Sequence, residues 1–322
     1  MKVVVTGCAG FVGSHLTERL LQSGNEVIGI DNLLTGRDAN VELLMEYPTF
    51  EFFQEDVAIP ADLWSRLDEQ DVVDVVFHLA SPASPGDYAR YPLQTLIANS
   101  RGTEQAIYVA NRFGSRFILA SAAQVYGDPR VHPQREDYWG NVNCAGPRAC
   151  YDESKRYAEA LTSAAVRTGM IGATIVRIFN TYGPRMRQDD GRVVPTFIMQ
   201  ALRGEALTVF GDGGQSRSFM YVDDLVDALI RVARLEPSQE PLVLNIGNPQ
   251  ETTIAALAAT VSSLVGTPPL VERKTLPRDD PARRRPEISR ARGLLHWEPR
   301  TSLVDGLRAT IEHFRDQVYA MA

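Results

Sequence analysis

The sequence predicts an α/β fold built on a doubly wound parallel sheet, with a smaller lobe toward its C-terminal end. Three observations predict it. The chain opens on strand, glycine turn and helix. Short apolar runs then alternate with helical patterns through the first half. After Asn180 the loops lengthen and Gly, Pro and Arg rise.

Lys2–Thr6 (KVVVT) is too short for a helix and rich in β-branched residues, so it reads as a buried strand. Gly7, Gly10 and Gly13 follow at G-x-x-G-x-x-G spacing, and Leu16, Leu20 and Leu21 then recur at helical spacing. Glycine permits a tight turn, close approach of backbone to a pyrophosphate, and close packing of helix on strand. The helix N-terminus offers free N–H groups and its positive dipole end to phosphates. A second strand, Glu26–Ile30, ends at Asp31. A carboxylate there can accept both hydroxyls of an adenosine ribose and would repel a 2′-phosphate, so NAD is expected over NADP.

Strands follow at Phe50–Phe53, Asp71–Leu79, Phe117–Ala120 and Thr174–Phe179, with helices at Tyr91–Phe113 and Tyr151–Arg167 between them. In the first helix Leu93, Leu96, Ile97 and Ile107 share one face. The βαβα order makes the sheet Rossmann-type, and such sheets bind ligands at the carboxyl ends of their strands. The loops after Leu79, Ala120 and Phe179 therefore face the same crevice as the glycine turn. The cofactor site is expected to take in Phe11, Val12, Asn32, Arg37, Leu79, Ala80, Ser81 and Asn99 beside the glycines. Asp56 and Val57 lie either at the adenine or at a solvated strand end.

Beyond Asn180, TYGPRMRQDDGR, FGDGGQSRSF and LPRDDPARRRP read as a lobe that closes over a substrate. Tyr221–Arg234 reads as a helix returning to the main sheet, Leu242–Ile246 as a short strand, and Thr253–Val265 and Ser302–Phe314 as the last helices. The expected division is residues 1–180 for the NAD-binding domain, with 215–245 packing back on it, and 181–322 for the smaller lobe.

With 322 residues, 44% of them hydrophobic, the chain has ample material for such a core. A net charge of −7 argues against a nucleic-acid partner. No apolar run approaches ~18 residues, so no membrane span is expected. The fold starts at Lys2, which leaves no room for a signal peptide. Three cysteines (Cys8, Cys144, Cys150) fit a reducing compartment better than a disulfide framework, and a cytoplasmic location is expected.

Tyr151 and Lys155 are four residues apart, hence on one helix face. A tyrosine titrates near ~10, too high for a base at neutral pH. A nearby ammonium and an oxidised nicotinamide both favour phenolate. Tyr151 is then the expected base for a sugar hydroxyl whose carbon gives hydride to NAD.

The glycine turn with Tyr151-x-x-x-Lys155 resembles the extended short-chain dehydrogenase/reductases. The likeness extends to UDP-glucuronate decarboxylases (UDP-xylose synthases). It is carried nearly end to end by DNLLTGR (Asp31–Arg37), HLASPASP (His78–Pro85), VYGDP (Val125–Pro129) and GPRACYDESKR (Gly146–Arg156). FNTYGPRM (Phe179–Met186), GRVVPTFIMQAL (Gly191–Leu202), RSFMYVDDLV (Arg217–Val226) and DDPARRRPEI (Asp279–Ile288) continue it. The resemblance implies a redox-neutral reaction without a metal: oxidation of UDP-glucuronate at C4, loss of CO2, and re-reduction. It implies that Ser84 and Arg284 contact the sugar and its carboxylate region, and that Arg217 holds pyrophosphate. Asn180 and the Leu207–Phe210 strand, with Thr208 and Phe210, match positions that hold the phosphates and uracil. Arg185 and Val193 complete the expected substrate set. A homodimer is expected, packed through the Tyr91–Phe113 and Tyr151–Arg167 helices. The second of these carries small residues at Ala158, Ala160, Ala164 and Ala165.

The chain departs from the family pattern at its centre. The family places Thr or Ser three residues before the valine of VYG, and its decarboxylases place Glu one residue before it. This chain has Ala122 and Gln124, with Ala123 between them. Gln124 keeps the size of glutamate and can hydrogen-bond, but cannot act as acid or base. Two further readings therefore stay open: another nucleotide-sugar 4-epimerase or dehydratase, and a catalytically impaired protein that binds NAD and a nucleotide sugar.

Overall fold

A computed structural model of the chain describes residues 1–59, 67, 72–276 and 283–320. The Asp71 end of the expected fourth strand lies outside the described residues, as does Asp279–Ala282 at the head of the DDPARRRP run.

The central sheet takes its first six strands from the chain up to Ile178: β1 (Lys2–Thr6), β2 (Glu26–Ile30), β3 (Phe50–Phe53), β4 (Val75–His78), β5 (Arg116–Ala122) and β6 (Gly172–Ile178). Helices α1 (Phe11–Gln22), α2 (Asp38–Met45), α3 (Pro85–Arg90), α4 (Pro92–Asn99), α5 (Arg101–Phe113) and α6 (Ala149–Arg167) connect them. Next come β7 (Thr181–Tyr182), α7 (Val193–Leu202), β8 (Leu207–Phe210), β9 (Ser216–Ser218), β10 (Met220–Tyr221), α8 (Val222–Val232) and β11 (Leu242–Ile246). The last elements are β12 (Glu251–Thr253), α9 (Ile254–Val265), β13 (Val271–Lys274), β14 (Arg283–Arg284), α10 (Ser289–Leu295) and α11 (Leu303–Ala320).

The sheet has seven strands in the order β11-β6-β5-β4-β1-β2-β3, and every pairing in it is parallel. The order reverses between β1 and β4, which opens a crevice at their carboxyl ends. Alternation along β1 explains why its run is continuously apolar. Val3 and Val5 pack on one face with Leu16 and Leu20 of α1 and Leu225 and Leu229 of α8. Val4 packs on the other with Ile107 of α5, Phe117 of β5 and Val166 of α6. A third core joins Phe197 of α7, Leu207 of β8, Leu257 of α9 and Phe314 of α11. α8 packs on α1, and β11 pairs with β6.

The expected helix at Tyr91–Phe113 is two helices. α4 ends at Asn99, Ser100 leaves helical geometry (φ −102°, ψ −82°), and α5 restarts at Arg101. The break turns Leu93, Leu96 and Ile97 outward while Ile107 stays in the core, so these four do not share one face. α2, α3, α7 and α10 have no counterpart among the expected elements. The small sheet β12-β9-β14 joins three segments distant in sequence.

Candidate active site

The glycine turn is built so tightly that side chains are excluded. A Cβ on Gly13 would sit 1.9 Å from Gly7 O, and one on Gly7, whose φ is +77°, would sit 2.8 Å from Ala80 N. α1 begins at Phe11 with Gly10 as an N-cap that makes no side-chain bond, and its first turn holds no acid. Its leading N–H groups are thus left for an anion. Gly7, Gly10, Phe11, Val12, Gly13, Asp31, Asn32, Arg37, Asp56, Val57, Leu79, Ala80 and Ser81 all line the one cleft this turn opens into.

Asp31 also organises that cleft. Its Oδ2 accepts from Ala9 N–H at 3.0 Å and its Oδ1 from Leu33 N–H at 2.9 Å. Burial pushes its carboxyl up, and those two bonds oppose the rise. Asn32 Nδ2 donates to Asp56 Oδ2 at 3.0 Å, while Asp56 Oδ1 accepts from Ala58 N–H. Asp56 is therefore bonded to the loop after β2 and to its own turn. Beneath the cleft His78 is fully buried between Thr6 Oγ1 (2.8 Å from Nδ1) and Thr103 Oγ1 (3.1 Å from Nε2). Thr103 Oγ1 donates to Asn99 O, so it accepts from His78 Nε2–H, and Nδ1 accepts from Thr6. Burial lowers the imidazole pKa to about 3. Asn99 is buried too, and its Nδ2 donates to Ser81 Oγ and Ser154 Oγ.

Tyr151 and Lys155 lie on the inner face of α6, both buried. Lys155 Nζ donates to Ala120 O at 2.8 Å and stands 5.9 Å from the Tyr151 ring centroid. The expected charged forms are a phenolate at Tyr151 and an ammonium at Lys155. Burial drives both the other way: the phenol pKa rises, and the amine falls to about 7. The cations that oppose the rise at Tyr151 are Arg192 and Arg284. Tyr88 stacks on Tyr151, with centroids 5.3 Å apart and an interplanar angle of 13°. Ala122 packs against the same pair of rings. The one hydroxyl next to it on β5, Ser121 Oγ, donates to Glu159 Oε1 at 2.5 Å, and Arg177 holds that carboxylate from beyond. Ser121 does not replace the missing hydroxyl. Gln124 lies in the short 3-10 turn Ala123–Tyr126 that follows β5.

The expected substrate residues divide into groups. Arg284 is buried and shares a second pocket with Arg148 and Asp152. Arg217 is buried on the adjacent strand, with Nη1 donating to Ser216 O. Asn180 receives Met220 N–H on its carbonyl. Thr208 is bonded twice to Gln200, and Phe210 is exposed at the end of β8. Val193 opens α7. Ser84 is the N-cap of α3, donating to Asp87 Oδ2 at 2.7 Å and accepting from Asp87 N–H. Arg185 lines the cofactor cleft, and its guanidinium is paired with Glu18 of α1 at 2.5 Å. Sequence reasoning missed Arg192, Asp87, Arg187 and Tyr88. Only Ser84-x-x-Asp87 carried a readable signal, the spacing of a helix cap.

A family model described as the NAD dependent epimerase/dehydratase family matches residues 3–247. The chain belongs to that family. It is 47% identical over 313 residues to UDP-glucuronic acid decarboxylase 1 of Danio rerio, covering 97% of this chain and 72% of the other. It is 48% identical over 318 residues to UDP-glucuronic acid decarboxylase 6 of Arabidopsis thaliana, covering 98% and 89%. Among solved structures, UDP-glucose 4-epimerase of Thermotoga maritima with UDP-glucose superposes at TM-score 0.90 and 29% identity, covering 99% of this chain and all of the other. UDP-glucuronic acid 4-epimerase of Bacillus cereus with UDP-glucuronic acid and NAD superposes at 0.88 and 30%, with the same coverage. NAD is the cofactor of this family, and the side-chain-free turn, the uncapped α1 and the Asp31 carboxylate fit it. Among the described residues no helix is long and apolar enough to cross a membrane.

Proposed function

We propose that this chain decarboxylates UDP-glucuronate with bound NAD, giving UDP-xylose, UDP-4-keto-pentose or both. The observation that carries the reading is local to Tyr151. The phenol lies beside the carboxyl end of β5 with Arg284 and Arg192 as its favouring cations, in a chain alike nearly end to end to proteins named for this reaction.

NAD, when bound, would supply the hydride acceptor for C4 and the donor for its re-reduction, and Gly7, Gly10, Gly13 and Asp31 would hold it. Tyr151 takes the O4 proton, and Arg192 and Arg284 reduce the cost that burial sets on its phenolate. The C4 ketone is β to the C6 carboxylate. When the C5–C6 bond breaks, its electron pair enters the ketone as an enolate, so no metal is required. Arg284 positions the carboxylate end of the sugar, and Arg217 pairs with a pyrophosphate oxygen. Protonation at C5 and at O4 then completes UDP-xylose. With Ala122 and Gln124 in place of hydroxyl and carboxyl, that second half has fewer proton donors, so the ketone is a substantial product.

Residues 1–180 with 215–245 form the NAD-binding part, and the rest of 181–322 the nucleotide-sugar part. Ser84, Asn180, Arg185, Val193, Thr208 and Phe210 belong to the substrate side of the cleft, Arg185 through its place on the cofactor wall. The active form is a homodimer through the 91–113 segment (α4 and α5) and α6. Support comes from Tyr157, Ala160 and Ala164, exposed along one stripe of α6, beside exposed Glu104 and Tyr108 of α5. Tyr157 OH donates to Glu104 across the two helices.

A second reading is a catalytically impaired binder, favoured by one observation: the Ser121 hydroxyl is committed to Glu159. Incubation with UDP-glucuronate and NAD, with mass spectrometry of the sugar nucleotides, separates the two. Release of CO2 with a pentose product supports the decarboxylase. Binding of both ligands without turnover supports the binder.

A further inference from the structure

Arg187 spans the mouth of the cofactor cleft. Its Nη2 donates to Asp87 Oδ1 at 2.6 Å, and its Nη1 donates to Thr35 O at 3.5 Å. These residues stand on three separate segments. Thr35 lies in the loop after β2, Asp87 in the first turn of α3, and Arg187 in the 183–192 loop. All three line the cleft.

Each end of this bridge is anchored. Asp87 is bonded to Ser84 through both its side chain and its N–H. The 183–192 loop is fastened to α1 by Arg185–Glu18 and by His15 Nε2 on Pro184 O at 2.9 Å. Those contacts hold the loop to α1, and Arg185 N–H on His313 with Gln188 on Gln317 holds it to α11. Arg187–Asp87 joins it to the wall beyond β4, so the pair crosses the opening instead of running along it. The side chains are 25% and 12% exposed, which places the pair at the rim but screens it less than a surface ion pair.

We propose that the Arg187–Asp87 ion pair is a clasp that keeps NAD in its cleft through the whole reaction. A redox-neutral decarboxylation regenerates its cofactor only if the molecule that accepted hydride also returns it. If the reduced cofactor leaves first, the sugar is stranded as the 4-ketone and the protein must reload. The return half is the half that Ala122 and Gln124 weaken, so this chain holds reduced cofactor for longer than a relative with those donors. The consequence for product rests on the proposed decarboxylation; the clasp itself needs only that NAD binds.

The test is cofactor release without sugar. Protein loaded with NADH is mixed with excess NAD, and loss of bound-NADH fluorescence is timed for the parent, Asp87→Asn, Arg187→Gln, Arg187→Lys and the Asp87→Asn/Arg187→Gln double variant. Thermal unfolding verifies that each is folded. The expected result is release about tenfold faster in Asp87→Asn and Arg187→Gln, no further gain in the double variant, and near-parental release in Arg187→Lys. If Asp87→Asn does not fold because Ser84 loses its partner, Arg187→Gln against Arg187→Lys decides. Release within twofold of the parent in Arg187→Gln overturns the clasp. So does a double variant whose acceleration is the product of the two singles, since the residues then act independently. With UDP-glucuronate present, faster release should raise the share of turnovers ending in free NADH and UDP-4-keto-pentose. Faster release with no turnover at all supports the clasp and removes the decarboxylase reading.

Discussion

Arg284 stands directly opposite Arg217. The two-residue strand β14 runs parallel to β9, and its register pairs Arg283 with Ser216 and Arg284 with Arg217. Both arginines are buried, and register partners in a parallel pair point to the same face. Strands so paired lie roughly 4.8 Å apart, so two guanidinium groups are carried side by side, an arrangement suited to a ligand with two anionic groups.

Separate roles for the pair give separable losses. Arg217→Ala should weaken UDP binding by about tenfold or more, as expected for a lost charge-assisted bond. Arg284→Ala should leave UDP affinity within a few-fold and cut CO2 release by on the order of 10²-fold. Calorimetry with UDP and a CO2 assay with UDP-glucuronate read the two. Because the side chains are neighbours, the double variant should not be additive. CO2 release from Arg284→Ala at the parental rate rules out its role.

Restoring the absent donors should restore the second half of the reaction. Ala122→Thr with Gln124→Glu is expected to raise turnover by roughly 10²-fold, the lower end for a positioned acid/base group, and to shift product from UDP-4-keto-pentose to UDP-xylose. An unchanged rate and product ratio would show both positions to be bystanders.

Asp31 carries two burdens, so its variant has two signatures. The parent should bind NAD at least about tenfold more tightly than NADP, the ribose hydroxyls contributing roughly as charged hydrogen bonds do. Asp31→Ala should narrow that ratio mainly by weakening NAD. It should also lower the unfolding temperature by a few degrees, because Ala9 and Leu33 N–H groups lose their acceptor. Equal affinity of the parent for NAD and NADP would remove the assignment.

His78 makes the protein acid-sensitive in a defined window. The unfolded imidazole titrates near the ordinary 6.5, whereas the buried one is held to about 3. Above pH 6.5 neither state binds the proton, and the neutral ring contributes fully. Between 6.5 and 3 the unfolded state binds a proton that the native state refuses, so stability falls with pH. The slope from this residue is about 1.4 kcal/mol per unit. Urea unfolding from pH 7 to pH 4 should therefore be visibly flatter in His78→Gln. Identical slopes would mean that the ring is protonated in the native state.

What could be read in advance follows from how local each cause is. β1 was legible because Val3, Val4 and Val5 are buried on both faces and form one short branched run. Gly7, Gly13 and Asp31 were legible because strand, turn, helix and carboxylate belong to one contiguous unit. The break at Ser100 was not: α4 and α5 each carry apolar residues at helical spacing, and only the packed structure shows that they face opposite ways. Arg192, Asp87, Arg187 and Tyr88 act through contacts with residues far along the chain, and nothing beside them announces those partners. The burial around Tyr151 was not legible for a related reason. Spacing places Lys155 next to it, but burial decides which way both groups titrate.

The position of β11 in the sheet bears on the order in which the protein can be made. Its partner β6 is finished at Ile178, yet Leu242–Ile246 emerges only after β7–β10, α7 and α8 have been synthesised. Until then the growing chain carries β6 as an unpaired, apolar edge, the kind of surface on which nascent chains pair with one another. The surface of α1 that Leu225 and Leu229 will cover stays bare for the earlier part of that interval, until α8 is made. A ribosome pausing between Ile178 and Ile246 would prolong that exposure.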